Sequence, residues 1–134
     1  MTDIKEYVLD THAFVWWVTK PARLGRDAAR ALRQVDAGKA RAWIPAIVGV
    51  ELTLLAEAGR RVPGAVELEA ATKRNSEVRI LSLDLRQTSE FALLGALEDP
   101  FDRMIVAAAR AARMPLITAD TRITESGLVD VVWG

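Results

Sequence analysis

The chain of 134 residues has no cysteine and one histidine, His12. Without cysteine there is no disulfide framework and no thiolate-bound zinc. With one histidine, phosphodiester cleavage by a histidine pair is excluded. An excess of one charge is also missing: 18 Lys and Arg balance 18 Asp and Glu. A stable, sequence-independent nucleic-acid binder is usually basic, so only a protein that holds such a partner briefly fits. No apolar run approaches bilayer length. The opening MTDIKEYVLD lacks the basic-then-apolar plan of a signal peptide. A cytoplasmic protein with no membrane attachment is therefore expected. There is no Gly-rich phosphate loop, repeat, linker or low-complexity stretch, and one domain over residues 1–134 is expected.

What is present alternates between short apolar runs and helical periods. Tyr7-Val8-Leu9 reads as a buried strand that delivers Asp10 directly into a helix from Thr11 to about Val18, which Pro21 stops. Ala28, Ala31, Leu32 and Val35 recur at helical spacing, with Gly38 as a C-terminal cap. Arg41 to Ile44 reads as a second strand. Pro45 opens an apolar helix from Ala46 to Ala58, and Pro63 opens another that reaches about Arg74. Val78 to Leu83 reads as a strand with Ile80 and Leu81 buried. A helix is expected from Asp84 to Leu97, with Phe91, Leu94 and Leu97 on one stripe. Asp99-Pro100 starts a helix to Arg113. Pro115 to Thr118 is a strand ending at Asp120, a short helix follows, and Val129 to Trp133 is a last strand. This order predicts an α/β fold: a central parallel sheet of about five strands with helices on both faces.

Open parallel sheets bind ligands outside the carboxyl ends of their strands. Asp10 and Asp120 stand at such ends, and Asp102 opens a helix at the same edge. Each of these aspartates, and Asp99, also suits a helix N-terminus as a cap or a first-turn acid. Glu51 is different. Its helical neighbours Ile47, Val48, Leu54 and Leu55 are all apolar, and a buried carboxylate without a partner is costly. Its charged form is expected to be disfavoured until a metal, or an Arg from another helix, reaches it. Carboxylates gathered in one cleft repel one another, and a divalent ion such as magnesium or manganese relieves this. A carboxylate-bound ion of that kind can activate a water for attack on a phosphodiester. His12 is expected to pack or to hydrogen-bond beside Asp10. Trp16 and Trp17 point to different sides of their helix, so one is expected in the core and the other at an interface.

Four stretches together resemble a PIN-domain ribonuclease, specifically a VapC-type toxin of a type II toxin–antitoxin module. They are Val8 to Trp17, Ala46 to Gly59 around Glu51, Asp99 to Ala109, and Leu116 to Asp120. The resemblance implies a PIN-like fold and a Mg2+ (or Mn2+) site with Asp10, Glu51, Asp102 and Asp120 as catalytic and metal-binding acids. Asp99, Thr11 and Thr118 are secondary candidates, Thr118 as the residue that orients Asp120 or a metal-bound water. It further implies an RNA substrate, a cognate antitoxin protein, and a homodimer. Val50 stands where many relatives carry Trp, and Ser126-Gly127 where an aromatic is frequent. Two other readings share parts of the pattern. A phosphoryl-accepting receiver domain also uses an acidic pocket, but Pro115 to Asp120 offers no lysine for it. A non-catalytic PIN-like module that binds RNA or protein is the alternative function.

Overall fold

The computed structural model describes residues 3–134. Five parallel strands form one sheet: β1 (Lys5–Leu9), β2 (Ala40–Pro45), β3 (Val78–Leu81), β4 (Leu116–Ile117) and β5 (Val131–Val132), in the spatial order β3-β2-β1-β4-β5. Among the described residues seven α-helices connect and flank them: α1 (Thr11–Thr19), α2 (Arg26–Asp36), α3 (Ala46–Glu57), α4 (Ala65–Arg74), α5 (Leu85–Ala92), α6 (Pro100–Ala112) and α7 (Thr121–Ser126). A single 3-10 turn at Pro21–Arg23 separates α1 from α2.

Strand order decides where a ligand can sit. The chain builds outward from β1 through β2 to β3, then crosses back to place β4 and β5 on the other side of β1. The order therefore reverses between β1 and β4. At such a switch the two flanking connections leave in opposite directions and open a crevice at the strands' carboxyl ends. Val8 pairs with Leu116 and Leu9 with Ile117, and the Asp10 amide donates to the Ile117 carbonyl at 3.2 Å.

The core is built by the expected periods. Val8, Leu9, Ala42, Ile44, Leu116 and Ile117 are fully buried in the sheet. Ala28, Ala31, Leu32 and Val35 turn one face of α2 onto β2, while Ile105 to Ala109 bury most of one turn of α6, which packs against β1. Burying these side chains supplies the main favourable energy of folding. At Gly38 a φ of +76° closes α2 in the left-handed region that glycine tolerates.

Several boundaries differ from expectation. The helix predicted to Leu97 stops at Ala92. Leu94 and Leu97 are buried, but from a chain of tight turns in which Leu94 and Leu97 donate to carbonyls three residues back, at 3.1 and 3.0 Å. A spacing of three fits such turns as well as a helix. Pro63 does not open α4. Gly64 caps it, and Glu67 reaches back to the Gly64 amide at 3.0 Å. Pro45 ends β2 rather than starting α3. In β3 the buried residue is Val78, and Ile80 is exposed because β3 is the edge of the sheet.

Candidate active site

Asp10 follows β1 at the reversal point. It caps α1, its Oδ1 accepting from the Ala13 amide at 2.8 Å. Its Oδ2 accepts from the Thr118 hydroxyl, which arrives from the end of β4. Only 7% of Asp10 is exposed. Burial pushes its carboxyl up to about 6, against the two hydrogen bonds and nearby His12, with Glu51 adding to the rise. Thr118 also accepts from the Asp120 amide at 3.1 Å, so one hydroxyl ties the residues that end β1 and β4. Thr118 is thus bonded both to Asp120 and to Asp10.

Thr11, named without a role, has one. Its buried hydroxyl donates to Glu51 Oε1 at 2.5 Å. This contact joins the first turn of α1 to the middle of α3 and is the partner Glu51 required. No Arg reaches Glu51 among the described residues. Glu51 itself is half-buried rather than enclosed. Val48 and Leu52 are in the core, but Val50 and Leu54 are 50% and 47% exposed. The apolar positions of α3 extend onto its solvent face, so apolar helical neighbours did not mean a closed environment.

Asp99 and Asp120 act as caps. Asp99 Oδ1 accepts from the amides of Phe101 and Asp102 at 2.9 and 3.0 Å. Asp120 Oδ1 accepts from Arg122 and Ile123 at 2.8 and 3.4 Å, with the exposed Arg122 guanidinium 3.8 Å away. Asp102, third residue of α6, has no side-chain hydrogen bond or ion pair among the described residues. It is half-buried, and burial first, then the charges of Asp99, Asp120, Glu51 and Asp10, push its carboxyl up to about 7.

The charges of the other four acids therefore reach Asp102 across one end of the sheet. The five acids do not stand as a ready-made ligand set: among the described residues no three His, Cys, Asp or Glu side chains are grouped to hold a metal ion. The expectation that Asp10, Glu51, Asp102 and Asp120 converge on an ion is not met by preformed distances. The local reason is that Asp10, Glu51, Asp99 and Asp120 are each held by a hydroxyl or an amide of a helix start. The donor chemistry nevertheless fits magnesium or manganese, since it is all carboxylate and hydroxyl oxygen with excess negative charge and an unpaired Asp102.

The protein comparisons agree with the topology. The PIN domain family model matches residues 7–127. No curated protein matches the chain in sequence. Solved structures that share its fold include three toxin–antitoxin complexes. The VapBC2 complex of Rickettsia felis bound to a promoter DNA fragment is 17% identical, covers 96% of this chain and 99% of that one, with a TM-score of 0.70. A toxin–antitoxin complex from Klebsiella pneumoniae is 22% identical over 94% and 95%, with a TM-score of 0.62. DNA-bound VapBC from Salmonella typhimurium is 19% identical over 96% and 97%, with a TM-score of 0.61.

Proposed function

The chain belongs to the PIN domain family, and from that premise we propose that it is a single-domain, metal-dependent ribonuclease and the toxin of a toxin–antitoxin module. The observation that carries this reading is the reversal point itself. A buried Asp10 and an unpaired Asp102 lie there with raised protonation ranges and no Lys among their partners. An arrangement that is electrostatically unfavourable when empty is intelligible if a cation completes it.

Asp10, Glu51, Asp102 and Asp120 are the proposed holders of Mg2+ or Mn2+, which when bound lowers the pKa of a water and screens charge on the reacting phosphate. The chain's own part is positioning. Ala13 and Thr118 fix the rotation of the Asp10 carboxylate, and the Thr11 hydroxyl holds Glu51 by donating to its Oε1. Thr118 joins Asp120 to Asp10. Asp99 fixes the start of α6 and thereby the position of Asp102.

Partners follow from the same reading. Structural neighbours are toxin–antitoxin complexes. Val18 on α1 and Val50 and Leu54 on α3 are exposed apolar side chains on helices that pack together, which supports an antitoxin docking there. A homodimer in the cytoplasm is the proposed working form. Among the described residues no helix is long and apolar enough to cross a membrane.

The test is cleavage of RNA in magnesium by the native chain and by Asp10→Asn and Asp102→Asn. Each variant is expected to lose about a hundredfold or more in rate while keeping its circular dichroism. Variants as active as the native chain overturn the site assignment. The non-catalytic alternative predicts RNA or protein binding with no cleavage by any of the three.

A further inference from the structure

An acidic site that must receive a polyanion needs a cation at its rim. Most nearby cations are committed. Arg122 lies 3.8 Å from Asp120, and Arg103 sits 4.0 Å over the Phe91 ring while donating to the Phe91 carbonyl. Arg23, in the turn after α1, is different. Its guanidinium lies 4.5 Å over the Trp16 ring, is exposed, and has no carboxylate partner among the described residues.

Trp16 is the middle of an aromatic strip. Its ring is 5.9 Å from that of His12, one helical turn earlier, and 5.7 Å from that of Trp133. The two contacts have different purposes. Trp133 fastens the C-terminal end of the chain, its ring to α1 through Trp16 and its carbonyl to α2 by accepting from Ala28 at 2.9 Å. His12 is exposed and has no hydrogen bond among the described residues, so its ring offers a flat face to solvent two residues from Asp10. From Asp10 outward the surface therefore presents an exposed ring, a half-buried ring that supports it, and an unpaired planar cation.

We propose that His12, Trp16 and Arg23 bind the single-stranded RNA segment next to the scissile phosphate, His12 stacking a base and Arg23 holding a backbone phosphate. The inference rests on the ribonuclease reading and deepens it. Flat ring plus cation is the usual combination for single strands, because every base has a π-face and every nucleotide a phosphate. Duplex RNA keeps its bases stacked inside and leaves an exposed ring nothing to stack on. Stacking of this kind tolerates any sequence, so the strip supplies affinity and direction along the strand rather than base choice.

The experiment uses the full chain, His12→Ala, Arg23→Gln and Trp16→Phe, with Arg79→Gln as a control. Arg79 makes a similar contact, 5.7 Å from Trp43, away from the acids. Substrates are an unstructured labelled RNA of twelve nucleotides and a dinucleotide too short to reach the strip. On the long RNA, His12→Ala and Arg23→Gln are expected to raise KM about five- to tenfold with kcat unchanged. Arg23→Gln is also expected to lower the slope of affinity against salt by about one. Trp16→Phe keeps a ring but gives the Arg23 cation a weaker face, and is expected to raise KM on the long RNA by a smaller factor than either of those substitutions. All variants are expected to match on the dinucleotide. If the native chain cleaves RNA and neither substitution moves KM on the long substrate, the strip is overturned and the ribonuclease reading stands. If the native chain neither cleaves nor binds RNA, the ribonuclease reading fails first. If Arg23→Gln weakens only the complex with a co-expressed small partner protein, the strip is a protein-docking site and the proposal is wrong.

Discussion

The raised carboxyls of Asp10 and Asp102 tie stability to pH. Both protonate more easily in the folded protein, from an ordinary 3.8 to about 6 and about 7. The folded state therefore binds more protons than the unfolded chain between about pH 4 and 7. Stability from these groups is complete below that window and lost as pH rises through it. Metal-free protein is expected to melt roughly 3–10 °C higher at pH 5 than at pH 8, from an effect on the order of 1–3 kcal/mol. Asp102→Asn is expected to flatten that slope. Added Mn2+ is expected to stabilise more at pH 8 than at pH 5, since binding must displace those protons. Melting curves at both pH values, with EDTA and with Mn2+, check all three signs. A metal-free melting temperature that rises from pH 5 to pH 8 contradicts this assignment of the burial cost. Asp10 and Asp102 carry that cost in surroundings assembled from residues far apart in sequence. The same separation conceals the bond from Thr118 to Asp10, which spans 108 positions, although Thr118 itself stands out as a candidate beside Asp120. Thr118→Val leaves Asp10 one donor short and is expected to lower cleavage about ten- to a hundredfold, with Thr118→Ser retaining most of it.

Among the elements, the legible ones carry a local signal. Asp10 before α1, Asp99-Pro100 before α6 and the i, i+3, i+4, i+7 stripe of α2 all place their helices within a residue or two. The stretch after Ala92 departs from its expected helix because a three-residue spacing of leucines is shared by a helix and by successive tight turns. Ile80 departs from expected burial because burial in β3 depends on which strand is the edge, a property of topology rather than of the segment. Gly25 carries a packing constraint that its turn-like context concealed. A Cβ there would stand 2.3 Å from the Trp133 carbonyl oxygen. Gly25→Ala is expected to displace the C-terminal strand, destabilise by about 1–3 kcal/mol and red-shift tryptophan emission. Unfolding in urea with fluorescence detection measures both, and a native-like midpoint and spectrum contradict the close packing.

At the scale of the molecule, the α/β class is visible in the alternation of strands and helices, and the candidate site in strands that end in acids. Alternating strands and helices dictate a parallel sheet, and a parallel sheet confines chemistry to its carboxyl edge. The spatial order of the strands was not legible, yet it is what sets β4 beside β1 and brings Thr118 to Asp10. The acids reach one edge by that route, but several remain engaged as helix caps rather than as free ligands. A cation is thus expected to draw together side chains that rest slightly apart.

The most direct measurement is RNA cleavage by the native chain, stripped with EDTA and then titrated with Mg2+ or Mn2+. Activity is expected to be absent after stripping and to return saturably with added ion, in step with a rise in melting temperature of about 2.7 kcal/mol equivalent at a hundredfold excess over the dissociation constant. Cleavage at the same rate in EDTA and in magnesium contradicts a carboxylate-held ion at the junction of β1 and β4.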